Sequence, residues 1–84
     1  MAQYTEQQLA LNIKQGDIQS FEQLFNTYCS NMLQYATTML KDSDDAEDIV
    51  QQVFVQLWSK RETIVVETSI KSYLYRAVHN SCLN

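Results

Sequence analysis

Apolar residues recur along this chain at helical spacing and rarely alternate as a half-buried strand would require. The clearest stripe runs through Ala46, Ile49, Val50, Val53, Phe54 and Leu57. It predicts one amphipathic helix from Asp44 to Trp58 that continues to Lys60 or Arg61. Ser43 or Asp44 is placed to cap it, and the acids of its first turn suit the positive end of the helix dipole. Upstream, Ile18, Phe21, Leu24, Phe25, Tyr28, Cys29, Met32, Leu33, Ala36, Met39 and Leu40 form the widest stripe. They predict a long helix opened by Asp17 or Ser20 and ending at Leu40 or Lys41, the spine of the core. Thr5-Glu6-Gln7-Gln8 reads as a capping box for a short first helix to about Lys14, with Leu9 and Ile13 as its apolar pair and Gly16 as its stop.

After the central helix the pattern breaks. Ile64-Val65-Val66 is β-branched and disfavours helix, so Glu62 to Thr68 is expected to be an extended loop. Thr68 or Ser69 then caps a last helix, with Ile70, Tyr73, Leu74, Ala77 and Val78 inward and Lys71, Ser72, Tyr75, Arg76 and His79 outward. Lys41-Asp42-Ser43 is too short for anything but an antiparallel turn. The expected fold is all-α, a small antiparallel domain of about four helices.

Composition supports this reading and narrows the function. The 84 residues include no proline and one glycine, which favours helices joined by short connections. A chain this short buries about 60–65% of its unfolded surface and makes one domain. No apolar run approaches the ~20 residues of a membrane span, and no signal peptide is visible, so a cytoplasmic protein without membrane insertion is expected. Cys29 and Cys82 read as buried thiols; a disulfide between them stays open, and neither has metal-ligand spacing. No glycine-rich phosphate loop, metalloprotease motif or catalytic constellation is present, and the acids from Asp42 to Asp48 lack the spacing of a calcium loop. No enzyme activity, cofactor, metal or small-molecule substrate is expected.

Two faces invite partners. On the central helix, Asp48, Gln51, Gln52, Val55 and Ser59 lie away from the core stripe. A face of amides around an exposed valine suits a protein interface, whose centre is depleted in charge. An ordinary surface with one stray apolar residue is the plainer alternative. The charge is also uneven: two cations against eight acids through Trp58, then four cations against two acids beyond it. Cations and an aromatic beside an irregular loop are what single-stranded nucleic acid uses.

The residues also resemble a known family. Asp45 to Trp58, read D-A-E-D-I-V-Q-Q-V-F-V-Q-L-W, is similar to the core-binding helix of extracytoplasmic-function (ECF) sigma factors. Gly16 to Tyr28 resembles the same family's G-D-x-x-x-F-E-x-L-[FY]-x-x-Y run. Ser69 to Asn80 is similar to its promoter-reading segment S-F-x-x-W-L-Y-R-I-A-x-N, matching at Leu74, Tyr75, Arg76 and Asn80. Departures are Ile70 for Phe, Tyr73 for Trp, His79 where a cation is common, and Gln52 where an acid usually follows Gln51.

The resemblance implies a sigma region 2 domain spanning the chain. Asp48, Gln51, Gln52 and Val55 would seat on the β′ clamp helices of RNA polymerase core. Lys60, Arg61, Ser69, Lys71, Tyr75, Arg76 and Asn80 would engage the non-template strand of the promoter −10 element. An anti-sigma factor is a further candidate partner. The family's second, helix-turn-helix domain, which reads the −35 element, has no counterpart in these residues, so a fragment is expected. The runner-up reading is a helical protein-interaction module with no DNA role.

Overall fold

A computed structural model describes residues 5–64 and 69–83. Its elements are α1 (Glu6–Lys14), α2 (Ile18–Leu40), α3 (Ser43–Ser59) and α4 (Ile70–Leu83), with no strand among the described residues. None of these helices is long and apolar enough to cross a membrane.

Helix α1 starts where the Thr5 hydroxyl accepts from the backbone N–H of Gln8 at 3.2 Å. The expected box is only half closed, because the Gln8 amide turns forward to Asn12 Oδ1 instead of back to the cap. Gly16 stops α1 as the pattern predicts. It sits at φ +92°, and its N–H reaches Ile13 O while that of Asp17 reaches Asn12 O. This pair of bonds is the Schellman arrangement, whose left-handed residue favours glycine.

At the corner that follows, Asp17 caps α2 by position, but its carboxylate is turned to a side chain. The fully buried Ser20 hydroxyl donates to Asp17 Oδ2 at 2.6 Å and accepts from Asn12 Nδ2 at 3.1 Å. The buried hydroxyl thereby both donates and accepts, which a buried polar group requires.

Helix α2 ends at Leu40 because Lys41 adopts a left-handed conformation, φ 58°. That places the next cap one residue earlier than expected. Asp42, not Ser43 or Asp44, caps α3 by accepting from the N–H groups of Asp44 and Asp45. With two residues between them, α2 and α3 run antiparallel: Phe21 near the start of α2 meets Phe54 and Trp58 near the end of α3. Ser69 caps α4 by accepting from Ser72 N–H at 3.1 Å.

The core gathers Ile13 of α1, Leu24, Met32 and Ala36 of α2, Ala46, Val50, Val53, Phe54 and Leu57 of α3, and Ile70, Leu74 and Val78 of α4. Leu9 of α1 is buried as well. Two members of the expected α2 stripe are exposed instead of buried. Ile18 and Phe25 are exposed, because a 23-residue helix carries a wider stripe than its neighbours cover. Both cysteines are free thiols and half-buried, so the open disulfide is not formed. Burial pushes the Cys82 thiol up, which favours its protonated form. The expected loop falls partly on residues 65–68, outside the described residues; Thr63 and Ile64 close a turn onto Lys60 O.

One tie between α1 and α2 makes stability depend on alkaline pH. Tyr28 Oη donates to Glu6 Oε1 at 2.8 Å. Burial first, and then this hydrogen bond, push the Tyr28 phenol from 10.0 up to about 12. The folded state therefore holds the phenolic proton more tightly than the unfolded chain. The resulting stability is complete below the unfolded value and is lost as pH rises from 10.0 through about 12. Melting temperatures of wild type and Tyr28→Phe, compared at about pH 9 and about pH 11, test this. The wild type is expected to lose more on the alkaline step than the variant; equal losses would exclude the linkage.

Candidate functional site

The capping at Asp42 fixes the rotation of α3, and with it the face turned outward. Asp48, Gln51, Gln52 and Val55 are all exposed on that face. Val55 is 61% exposed, whereas Val53, two residues away, is 3% exposed. Gln51, Gln52, Val55 and Gln56 line a shallow depression. Gln51 is also shared with a neighbouring groove between α2 and α3, lined by Phe25, Cys29, Leu33, Glu47 and Val50. The Phe25 ring is held edge-on to Phe54 at 5.0 Å and is still 36% exposed. The sequence places Phe25 in the core; its exposure shows only once α3 is seen to cover one side of it.

The second face lies on α4 and the turn before it. Lys60, at the end of α3, is exposed, as are Lys71, Arg76 and Asn80. Ser69 is half-buried, with its hydroxyl engaged at the helix cap. Arg61 is placed differently. Its guanidinium carbon lies 4.4 Å over the Trp58 ring, and Nη1 donates to the Trp58 carbonyl at 2.9 Å. Nε is buried without a partner among the described residues and lies against Gly16, where an added Cβ would stand 3.7 Å from it. Arg61 is thus a brace between the end of α3 and the α1–α2 corner. The Trp58-x-x-Arg61 spacing, three apart, is the signal in the sequence that could have shown it.

Tyr75 also differs from expectation. It is half-buried, its ring edge-to-face with Tyr35 of α2 at 5.3 Å and 77°. The Tyr35 hydroxyl reaches His79 Nδ1 at 2.9 Å. Tyr35 is thus part of this face, although no pattern within α2 singles it out. The cations of α4 stand outward of this aromatic cluster. Among the described residues no group of His, Cys, Asp or Glu is arranged to hold a metal ion.

The geometry therefore offers two separate surfaces: an amide and apolar face on α3, and a cationic face on α4 backed by aromatic rings. Comparison with known proteins gives the family. Residues 24–84 match the family model for sigma-70 region 2. Among curated relatives, the ECF RNA polymerase sigma-E factor of Haemophilus influenzae is 29% identical over 82 residues, 98% of this chain and 43% of that protein. The RNA polymerase sigma-H factor of Pseudomonas aeruginosa is 24% identical over 84 residues, 100% of this chain and 44% of that protein. The ECF RNA polymerase sigma factor SigW of Bacillus subtilis is 26% identical over 68 residues, 81% of this chain and 36% of that protein. The chain spans less than half the length of these relatives. No solved structure matches it significantly.

Proposed function

This chain belongs to the sigma-70 region 2 family, as an ECF-type domain, and from that premise we propose that it is a transcription initiation module with two binding faces. The α3 face, Asp48, Gln51, Gln52 and Val55, docks on the β′ clamp helices of RNA polymerase core. The α4 face engages the melted non-template strand of the −10 element. There Lys60, Lys71 and Arg76 meet phosphates, and Ser69, Tyr75 and Asn80 lie beside the bases. Arg61 contributes its charge from a braced position. The module works in the cytoplasm, catalyses nothing, and is open to capture by an anti-sigma factor.

The observation that carries this reading is the exposure of Val55 at the centre of an almost uncharged face on an otherwise acidic body. Burial of such a residue against a partner gains hydrophobic free energy without desolvating charge. The cationic face is carried mainly by α4, with Lys60 added from the end of α3. Binding at one surface is therefore expected to survive damage at the other.

The test uses polymerase core and a sigma factor carrying this chain as its region 2. Lys71→Ala and Arg76→Ala are expected to lower abortive transcription from a −10-containing promoter and to leave the core pulldown unchanged. Each should flatten the salt dependence by about one unit of slope, the loss of one phosphate contact. Tyr75→Ala lowers transcription too, but it also removes the contact with Tyr35, so the two cations are the cleaner probes. Wild-type transcription from both cation variants would leave α4 a plain solvated surface and favour an interaction module without a DNA role. Loss of the pulldown would assign α4 to the polymerase interface instead.

A further inference from the structure

We propose that Tyr35 is a positioning residue that fixes the tautomer of His79, so that the neutral imidazole presents its Nε2–H as a donor to a phosphate oxygen of the bound strand. This rests on the reading of α4 as the nucleic-acid face.

The argument starts from a cluster that bridges two helices. Tyr35, on α2, meets two residues of α4 that stand one turn apart. Its ring takes Tyr75 edge-to-face at 5.3 Å and lies nearly parallel to His79, 30° between planes with centroids 6.4 Å apart. Its hydroxyl is 2.9 Å from His79 Nδ1. A neutral imidazole has one donor nitrogen and one acceptor nitrogen. A phenol donates more readily than it accepts, because its oxygen lone pair is delocalised into the ring. The Tyr35 O–H therefore donates, Nδ1 accepts, and the ring proton resides on Nε2. The partner of one ring nitrogen sets the role of the other.

The consequence is a donor of fixed direction. With Nδ1 engaged and the ring flanked by Tyr35, the imidazole cannot flip without losing its hydrogen bond. His79 is half-buried, and Arg76, one turn earlier on α4, is exposed. Among the described residues Tyr35 is the one hydrogen-bond partner of the His79 ring, which leaves Nε2–H for a ligand. Such a donor differs from the neighbouring cations in a measurable way. It adds a hydrogen bond but releases no counterion, so its contribution does not fall with salt as that of Arg76 does.

Two measurements test this. In ¹⁵N-labelled chain, imidazole nitrogen shifts should show the Nε2–H tautomer of His79 in the wild type, and Tyr35→Phe should lose that preference while circular dichroism stays helical. In the abortive-transcription assay, Tyr35→Phe and His79→Leu should each lower promoter opening by about two- to tenfold, the span of one net hydrogen bond. Neither should change the salt slope or the core pulldown. His79→Gln, whose amide nitrogen can reach the place of Nε2, should restore most of the activity. An Nδ1–H tautomer in the wild type, unchanged opening in His79→Leu, or a slope flattened by about one unit in that variant, as loss of a cation would give, each overturns the proposal. If Lys71→Ala and Arg76→Ala impair opening while Tyr35→Phe and His79→Leu do not, this inference alone fails. If none of the four has an effect, the nucleic-acid reading of α4 fails and takes this inference with it.

Discussion

Val55→Glu is expected to weaken the pulldown of RNA polymerase core and to leave the domain folded, whereas Val53→Glu is expected to unfold it. The two residues are two apart on α3 and differ twentyfold in exposure, 61% against 3%. A carboxylate at position 55 in the free domain points to water, and surface changes of this kind move stability by no more than about 0.5 kcal/mol. In the proposed complex the same carboxylate would be buried without a partner at the centre of the interface. Truncation at such a centre already costs about 2 kcal/mol or more, some thirtyfold in Kd, and an unpaired charge costs more. At position 53 the carboxylate meets the core in the free protein. An 84-residue domain has about 4–13 kcal/mol of stability to lose, and an uncompensated buried charge exceeds much of that range. Thermal melts beside the pulldown decide the matter. Equal losses of melting temperature would mean that α3 is rotated from the position described, and a normal pulldown with Val55→Glu would remove the polymerase face from α3.

Phe54→Ala is expected to cost about 3–5 kcal/mol, the range for deleting a buried aromatic side chain. Phe54 is 2% exposed and sits between two rings of α2, Phe21 at 6.3 Å and Phe25 at 5.0 Å, both edge-on. Each such pair adds about 0.5–1.5 kcal/mol beyond buried area. The neighbouring rings belong to a helix fixed at both ends, so the cavity cannot close fully. Urea denaturation measures the loss, and the single tryptophan reports it directly. Trp58 lies 5.0 Å from Phe21 and beneath the Arg61 guanidinium, so its emission follows the same cluster. A loss below about 1.5 kcal/mol, the level of a tolerated hydrophobic swap, would mean that the cluster does not hold α2 to α3.

The four helices could be read from the sequence because their stripes are long and the punctuation is sparse. Gly16 marked its stop correctly because a left-handed residue is what glycine permits. The cap of α3 was harder. Asp42, Ser43 and Asp44 are all good capping residues, and what selects Asp42 is the left-handed turn at Lys41, a conformation a lysine does not advertise. The α3 face was legible, since Asp48, Gln51, Gln52 and Val55 follow from helical geometry alone and are exposed together.

On α4 the exposure of the cations is legible in the sequence and the partial burial of Tyr75 is not. Tyr75 points outward on an isolated helix but is half-buried in the fold, because α2 brings Tyr35 alongside it. That depends on how two helices cross, which periodicity within either one does not contain. The brace made by Arg61 is hidden for a related reason. In the chain it stands beside the loop that follows it, while its contacts are with Trp58 before it and the Gly16 corner 45 residues upstream.

Only Lys41 and Asp42 separate α2 from α3, so the two longest helices meet at little loop-closure cost. Folding can start at this hinge and zip outward, turn by turn, from Ala36 and Ala46 to Phe21 and Trp58. Small all-helical domains with such local pairing fold in microseconds to milliseconds. Helices α1 and α4 would then dock on a hairpin already formed. Destabilising changes at the hinge would slow folding, while those in α1 would chiefly hasten unfolding.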